Sequence, residues 1–189
     1  MDTDSVLSSI EEVAPSKGYP IIGPKRGALL EKVVAEHSPS RVLEVGTLVG
    51  YSAIRIGRHL PKDGKMTCIE VNGKIAEVAR SNFDRAGLSD KIRVIVGDGK
   101  SLVKTVEGPL DMVFIDAEKA EYLTYLKGCE KALHRGSVVV ADNVKSFAKE
   151  MADYLDYVRN SGKFRSTYHE APPNWGTDEP DAIEVSVLL

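Results

Sequence analysis

The chain has 189 residues, 42% of them hydrophobic and 28% charged, with a net charge of −3 and a pI near 5.9. That is enough for one domain burying roughly 70% of its unfolded surface, and the acidic balance without a Lys/Arg stripe counts against a nucleic-acid partner. Two cysteines in unrelated contexts, Cys68 and Cys129, support neither a disulfide framework nor a zinc site and fit a reducing compartment.

Two helices are expected first, near 2–13 and 25–37, joined by the turn-rich PSKGYPIIGP. The first is acidic and lacks the basic and apolar regions of a signal peptide, and no apolar run is long enough to span a bilayer. The expected location is therefore cytoplasmic. From residue 41 short β-branched runs alternate with helical patterns. The strands are RVLEV (41–45), KMTCIEV (65–71), IRVIV (92–96), LDMVFI (110–115) and SVVVA (137–141). Each is a nearly continuous apolar run, as in a parallel strand covered on both faces. Helices are expected at 51–60, 74–86, 99–106 and 119–133, the second presenting Ile75, Ala76, Val78, Ala79 and Phe83 on one face. Gly87, Gly108 and Gly136 sit where helices should stop. This alternation predicts an α/β fold, a doubly wound parallel sheet with helices on both faces. After a helix near 148–160, KFRSTYH (163–169) and DAIEVSVLL (181–189) have only a Pro-rich loop between them. No crossover helix fits there, so the two should pair antiparallel. No repeat or linker interrupts residues 1–189, which read as a single domain.

The first strand runs into LEVGTLVGYSAI (43–54), with Gly46 and Gly50 at the strand-to-helix turn. In open α/β sheets ligands bind beyond the carboxyl ends of the strands, and the first such turn usually belongs to the site. The spacing G-x-x-x-G is not that of a pyrophosphate-binding turn. Glu44 is an odd choice in a buried strand and could meet a cationic ligand group. Glu70 closes the second strand at the spacing where an acid takes ribose hydroxyls. Taken alone, the glycines are equally explained as turn chemistry. With Glu44 and Glu70 they suggest a nucleoside beside a positive charge, a description that S-adenosylmethionine fits.

The second half raises a different question. MVFIDAEKAEY (112–122) stops at Asp116, with Lys119 three residues on, and VVVADNV (138–144) stops at Asp142 and Asn143. Singly, Asp116 reads as a helix cap and Asp142-Asn143 as the start of a turn. Together they offer oxygen ligands from the ends of consecutive strands, the donor set of Mg²⁺ or another hard divalent cation.

These segments, with IEV at 69–71 and VGDG at 96–99, resemble the class I methyltransferases in order and spacing. More narrowly, FID…K…Y and ADNV are similar to the Mg²⁺-dependent O-methyltransferases of the catechol O-methyltransferase type. The resemblance runs from about residue 20 to the end. It implies a Rossmann-like seven-stranded sheet with an antiparallel last strand, and N-terminal helices (1–40) covering the cofactor. Asp116, Asp142 and Asn143 would hold the metal, and Lys119 would be the catalytic base. Glu44, Gly46 and Ser52 would surround the methionine part of the cofactor, with Gly50 in the same turn. Glu70 would grip the ribose, while Asp98 and Gly99 would border the adenine. Ile22 and Gly23 would fold over the cofactor, and Asp116 would also touch it. The implied acceptor is a hydroxyl of a vicinal aromatic diol.

Two departures bear on the acceptor. Ala117 and Glu118 stand where the family carries an aromatic wall between its metal-binding Asp and its Lys. The family's acidic contact near the last hairpin has no clear counterpart, with Glu170, Asn174 and Trp175 as candidates. His37, His59, His134 and His169 are expected at surface or capping positions, and Tyr122 and Tyr125 are expected to pack. Other readings are a tRNA base hydroxyl as acceptor, or a nucleoside-binding protein without catalysis. The expected assembly is a monomer or weak homodimer.

Overall fold

The computed structural model describes residues 2–173 and 179–189, so Asn174 and Trp175 lie outside the described residues. Its strands are β1 (Arg41–Val45), β2 (Lys65–Glu70), β3 (Ile92–Val96), β4 (Leu110–Ile115), β5 (Leu133–Ala141), β6 (Phe164–Ala171) and β7 (Asp181–Leu188). They form one sheet of order β3-β2-β1-β4-β5-β7-β6. Only β7 runs against the rest, pairing antiparallel with β5 and β6. The expected terminal hairpin is therefore present, and β7 is inserted between its two neighbours.

Alternation along each strand explains the continuous apolar runs. Met112, Phe114, Val138 and Val140 face one core with Ile54 and Phe83, while Val113, Ile115, Val139 and Ala141 face the other with Tyr122, Leu126 and Tyr154. Successive side chains point to opposite faces, so a strand covered on both sides needs apolar residues at every position.

Helices α1 (Thr3–Lys17), α2 (Gly23–His37), α3 (Tyr51–Gly57) and α4 (Gly73–Arg85) contribute to the first core. Helices α6 (Tyr122–Cys129) and α7 (Ala152–Asn160) contribute to the second; the short α5 spans Gly99–Leu102. In α4 the buried face is narrower than its pattern suggests. Ala76, Ala79 and Phe83 are buried, whereas Val78 is 38% exposed. Gly87 follows the end of α4 with φ of 68°, as a helix stop should.

Gly136 departs from expectation. It does not end a helix but lies inside β5 with φ of 91°, where the register with β4 shifts between Leu110 and Met112. The expected 119–133 helix is shorter, an α-helical core at 122–129 flanked by 3₁₀ turns at 119–121 and 130–132. Likewise 99–106 divides into α5 and a 3₁₀ turn at 103–105, and α3 stops at Gly57.

Candidate active site

Hydrogen bonds that continue the strands beyond their carboxyl ends align the site. Gly46 N–H donates to Ile69 O, Asp116 N–H to Val45 O, Asp142 N–H to Ile115 O and Gly97 N–H to Glu70 O, at 2.9–3.1 Å. The chain runs from β1 outward through β2 to β3 and then returns to β4 on the other side of β1. The Gly46 and Asp116 turns therefore flank the point where strand order reverses, the usual crevice for a ligand. A cavity of about 1040 Å³ opens there. Ile22, Gly23, Gly46, Ser52, Glu70, Asp98, Gly99, Asp116, Lys119 and Asn143 all line it. Glu44, Gly50 and Asp142 do not.

Those three exceptions have physical reasons. Gly50 starts α3 with φ of 85°, and a Cβ there would stand 2.5 Å from Phe83 Cε1. Its lack of a side chain seats α3 against α4. Glu44 is wholly buried, and its Oε1 accepts a 2.6 Å hydrogen bond from the Ser52 hydroxyl, so Ser52 stands between it and the cavity. Burial pushes the Glu44 carboxyl up to about 7, against the pull of the Ser52 hydrogen bond. Its Oε2 has no hydrogen-bond partner among the described residues.

Asp142 is also fully buried. Arg26 Nε lies 2.9 Å from its Oδ1, yet neither carboxylate oxygen receives a hydrogen bond among the described residues. The approach satisfies an ion pair without the alignment of a hydrogen bond. Burial, and then the charge of Asp116, push the Asp142 carboxyl well above its ordinary range, while Arg26 pulls the other way.

Glu70 already serves the loops around it. Its Oε2 accepts the N–H of Leu48 at 2.8 Å, and its Oε1 accepts that of Asn72 at 2.9 Å. A carboxylate has about four lone-pair sites, so each oxygen can still accept a further hydroxyl. Asp98 caps α5 through the Lys100 N–H and the Ser101 hydroxyl, and the latter hydrogen bond holds its carboxyl below the ordinary range.

Lys119 Nζ donates to Asp116 Oδ1 at 2.8 Å and to Tyr122 Oη at 2.9 Å. Tyr122 packs edge-on against Tyr154, as expected, and its hydroxyl also donates to Asp142 O at 3.3 Å. Its role is thus wider than packing. Tyr125 is buried, lines the cavity and donates to Glu121 Oε2, which leaves it at once a packing and a lining residue.

Arg26, Asp181 and Phe147 were not singled out from the sequence. Arg26 bridges Asp142 and Asp181, the latter through Nη1 at 3.0 Å. Phe147 is 40% exposed at the cavity wall, with Lys119 Nζ 5.8 Å from its ring centre. Only Asp181 left a sequence signal, an acid at the start of an apolar strand. Glu170 pairs with Lys145 at 3.0 Å and does not line the cavity. None of the four histidines lines it either; His134, for one, pairs with Asp111 at 3.0 Å.

The residues present fit a hard divalent cation. Asp116, Asp142 and Asn143 offer oxygen donors, and the buried Asp142 carboxylate lacks hydrogen bonds. Three carboxylates, those of Asp116, Asp142 and Asp181, pair with two cationic side chains: Lys119 with the first and Arg26 with the other two. Among the described residues no three His, Cys, Asp or Glu side chains gather as a closed metal cage. A site of two carboxylates and an amide suits an ion that keeps positions for water or substrate. The cavity likewise suits a nucleoside, with a free-sided acid at Glu70 and apolar walls at Ile22 and Ile69. No helix among the described residues is long and apolar enough to cross a membrane.

Residues 4–160 match the family described as O-methyltransferase. Catechol O-methyltransferase B of Danio rerio is 34% identical over 197 residues, an alignment covering all of this chain and 73% of the relative. Among solved structures, the O-methyltransferase from Bacillus cereus in complex with SAH superposes with a TM-score of 0.87 at 25% identity, covering 98% of this chain and 91% of that one. The O-methyltransferase TomG from Streptomyces achromogenes in complex with SAM gives a TM-score of 0.85 at 26% identity, with 97% and 89% covered.

Proposed function

The chain belongs to the O-methyltransferase family and is an S-adenosylmethionine-dependent O-methyltransferase, and we propose that it methylates one oxygen of a vicinal diol on an aromatic ring with the help of Mg²⁺ or another hard divalent cation. The observation that carries this reading is the meeting of Lys119, Asp116 and Asn143 in one cavity with Glu70 and Ser52. The name of the catechol-directed relative supports the acceptor class. The reading includes a small-molecule acceptor, a monomer or weak homodimer, a cytoplasmic location and no nucleic-acid partner, the last supported by the net charge of −3.

When bound, S-adenosylmethionine supplies an electrophilic methyl group, and a divalent cation supplies positive charge that acidifies a nearby hydroxyl and fixes its direction. Asp116, Asp142 and Asn143 would hold the cation. Glu70 would accept ribose hydroxyls while keeping the loops of Leu48 and Asn72 in register. Lys119, steadied by Tyr122, would take the acceptor's proton at its Nζ. Phe147 and Ala117 would offer an apolar wall to a flat ring, since both line the cavity beside Lys119.

Calorimetric titration with S-adenosylmethionine, followed by turnover of a small catechol panel with and without Mg²⁺, tests the reading. Cofactor binding should persist in excess EDTA while turnover disappears. Full turnover in EDTA would exclude the metal role, and tight cofactor binding without turnover of any diol would exclude the acceptor class.

A further inference from the structure

Asp181 stands at the start of β7, outside every motif considered above, and is 5% exposed. Its Oδ2 accepts the Asn143 Nδ2–H at 2.8 Å and pairs with Arg26 Nη1 at 3.0 Å. Its Oδ1 accepts the N–H of Ala182 at 2.8 Å, of Ser146 at 3.1 Å and of Lys145 at 3.3 Å. One carboxylate thus gathers the whole turn that follows Asn143.

The contact with Asn143 has a directional consequence. An amide side chain can present either its oxygen or its NH₂ to a given neighbour, and the two ends have almost the same shape. An ionised carboxylate only accepts. Asp181 therefore holds the NH₂ end and turns Oδ1 of Asn143 away from itself. Asn143 also has φ of 62°, a left-handed conformation that a non-glycine residue keeps only when its surroundings hold it. Phe147 N–H on Asn143 O, Val144 N–H on Ala182 O and the Asp181 hydrogen bonds together supply that hold.

We propose that Asp181 is a positioning residue that fixes the amide of Asn143 so that its oxygen, and not its nitrogen, is offered to a divalent cation in the cavity. The inference rests on the metal reading above. Arg26 completes the arrangement by bridging Asp181 to Asp142, so two of the three oxygen donors are set by one ion-paired layer. Groups behind metal ligands commonly act in this way, and losing one typically weakens metal binding by roughly 10–100-fold.

Mn²⁺ affinity, followed by electron paramagnetic resonance of the free ion, tests this without reference to turnover. Asp181→Asn keeps the size of the side chain, but the three backbone N–H groups hold its oxygen and leave its NH₂ in the place of Oδ2, so the carboxylate that fixes the NH₂ end of Asn143 is lost. It should weaken Mn²⁺ binding roughly tenfold or more, with S-adenosylmethionine affinity by calorimetry within about twofold of the parent. The same substitution is then made in an Asn143→Asp background. A carboxylate at 143 has two equivalent oxygens and no direction to lose, so Asp181→Asn should there cost no Mn²⁺ affinity. A loss of equal size in both backgrounds would reduce Asp181 to a structural or purely electrostatic role and overturn the proposal. So would unchanged Mn²⁺ affinity in the single variant. Asp181→Ala is a second probe in both backgrounds, read in the same way wherever it folds. Absence of Mn²⁺ binding by the parent protein would instead overturn the metal reading itself, a result distinct from either.

Discussion

Gly46 lies so close to the backbone of Asp116 that a Cβ built on it would stand 2.1 Å from the Asp116 carbonyl oxygen. The obstacle is main chain, which cannot swing aside as a flexible side chain would. Gly46 also holds φ of 91°, where an L side chain is strained. The glycine is therefore required by the protein's own packing.

Gly46→Ala should thus separate the β1 and β4 turns or destabilise the fold, at a cost of about 1–3 kcal/mol or more. Denaturant unfolding measures the stability, and calorimetry measures S-adenosylmethionine binding, which should fall together with it. Parent-like values for both would mean that the two turns shift freely.

Glu70 offers a cleaner measure of the cofactor contact. Removing its carboxylate leaves the N–H groups of Leu48 and Asn72 without their acceptor and withdraws the proposed partner of the ribose hydroxyls. Glu70→Ala should weaken S-adenosylmethionine binding by about 1.5–3 kcal/mol, roughly ten- to a hundredfold. Glu70→Gln retains an acceptor oxygen and should lose less. Unchanged affinity in the alanine variant would take Glu70 out of the site.

At the opposite end of the sheet, Asp111 ties β4 to the start of β1. Burial raises its carboxyl, but hydrogen bonds from Ser40, His134 and Arg41 outweigh this and lower it from 3.8 to about 2. A carboxyl depressed in the folded state stabilises the protein above its unfolded value and loses that effect as pH falls through the folded value. The parent should therefore be more stable than Asp111→Asn at pH 5, and the gap should close between about pH 4 and pH 2. Urea unfolding at several pH values measures it; a gap independent of pH would assign the stabilisation to shape and not to charge.

How much of this was legible in the sequence depends on the range of the interaction. Strands covered on both faces announce themselves as apolar runs, and acids that end such runs mark the carboxyl edge where ligands bind. Asp116 and Glu70 were readable for that reason, and Asn143 because it follows such an acid. Gly136 was misread because a glycine at positive φ looks the same in sequence whether it ends a helix or bends a strand, and only the shifted pairing of β5 with β4 distinguishes the two. Arg26 left no trace, since a basic residue in the first turn of an amphipathic helix ordinarily faces solvent. Its partners Asp142 and Asp181 lie just after β5 and at the start of β7, and only the pairing of those strands brings them together beside it. Gly50 shows the converse case. Its sequence context suggested a ligand-facing turn, while its α-carbon abuts Phe83.

The final prediction concerns the chemistry at Lys119. Its amine sits between Asp116 Oδ1 at 2.8 Å and Tyr122 Oη at 2.9 Å, with Phe147 alongside, at the wall of the cavity that holds Asn143. A lysine in that position could serve only to neutralise Asp116, or it could take the acceptor's proton as the oxygen attacks. Lys119→Met distinguishes the two because it keeps an unbranched apolar stem and removes the amine. If the lysine is the base, kcat should fall by at least about a hundredfold, within the range typical of general-base catalysis. S-adenosylmethionine affinity should stay near the parent value, since the substitution leaves Glu70, Ser52 and the Gly46 turn intact. If the lysine only neutralises Asp116, its loss should strengthen Mn²⁺ binding and leave most of kcat in place. Tyr122→Phe adds a second reading: it preserves the edge-on packing with Tyr154 but withdraws one of the two acceptors that aim Nζ. A base that depends on direction should lose part of its kcat in that variant, whereas a simple counter-charge should lose none.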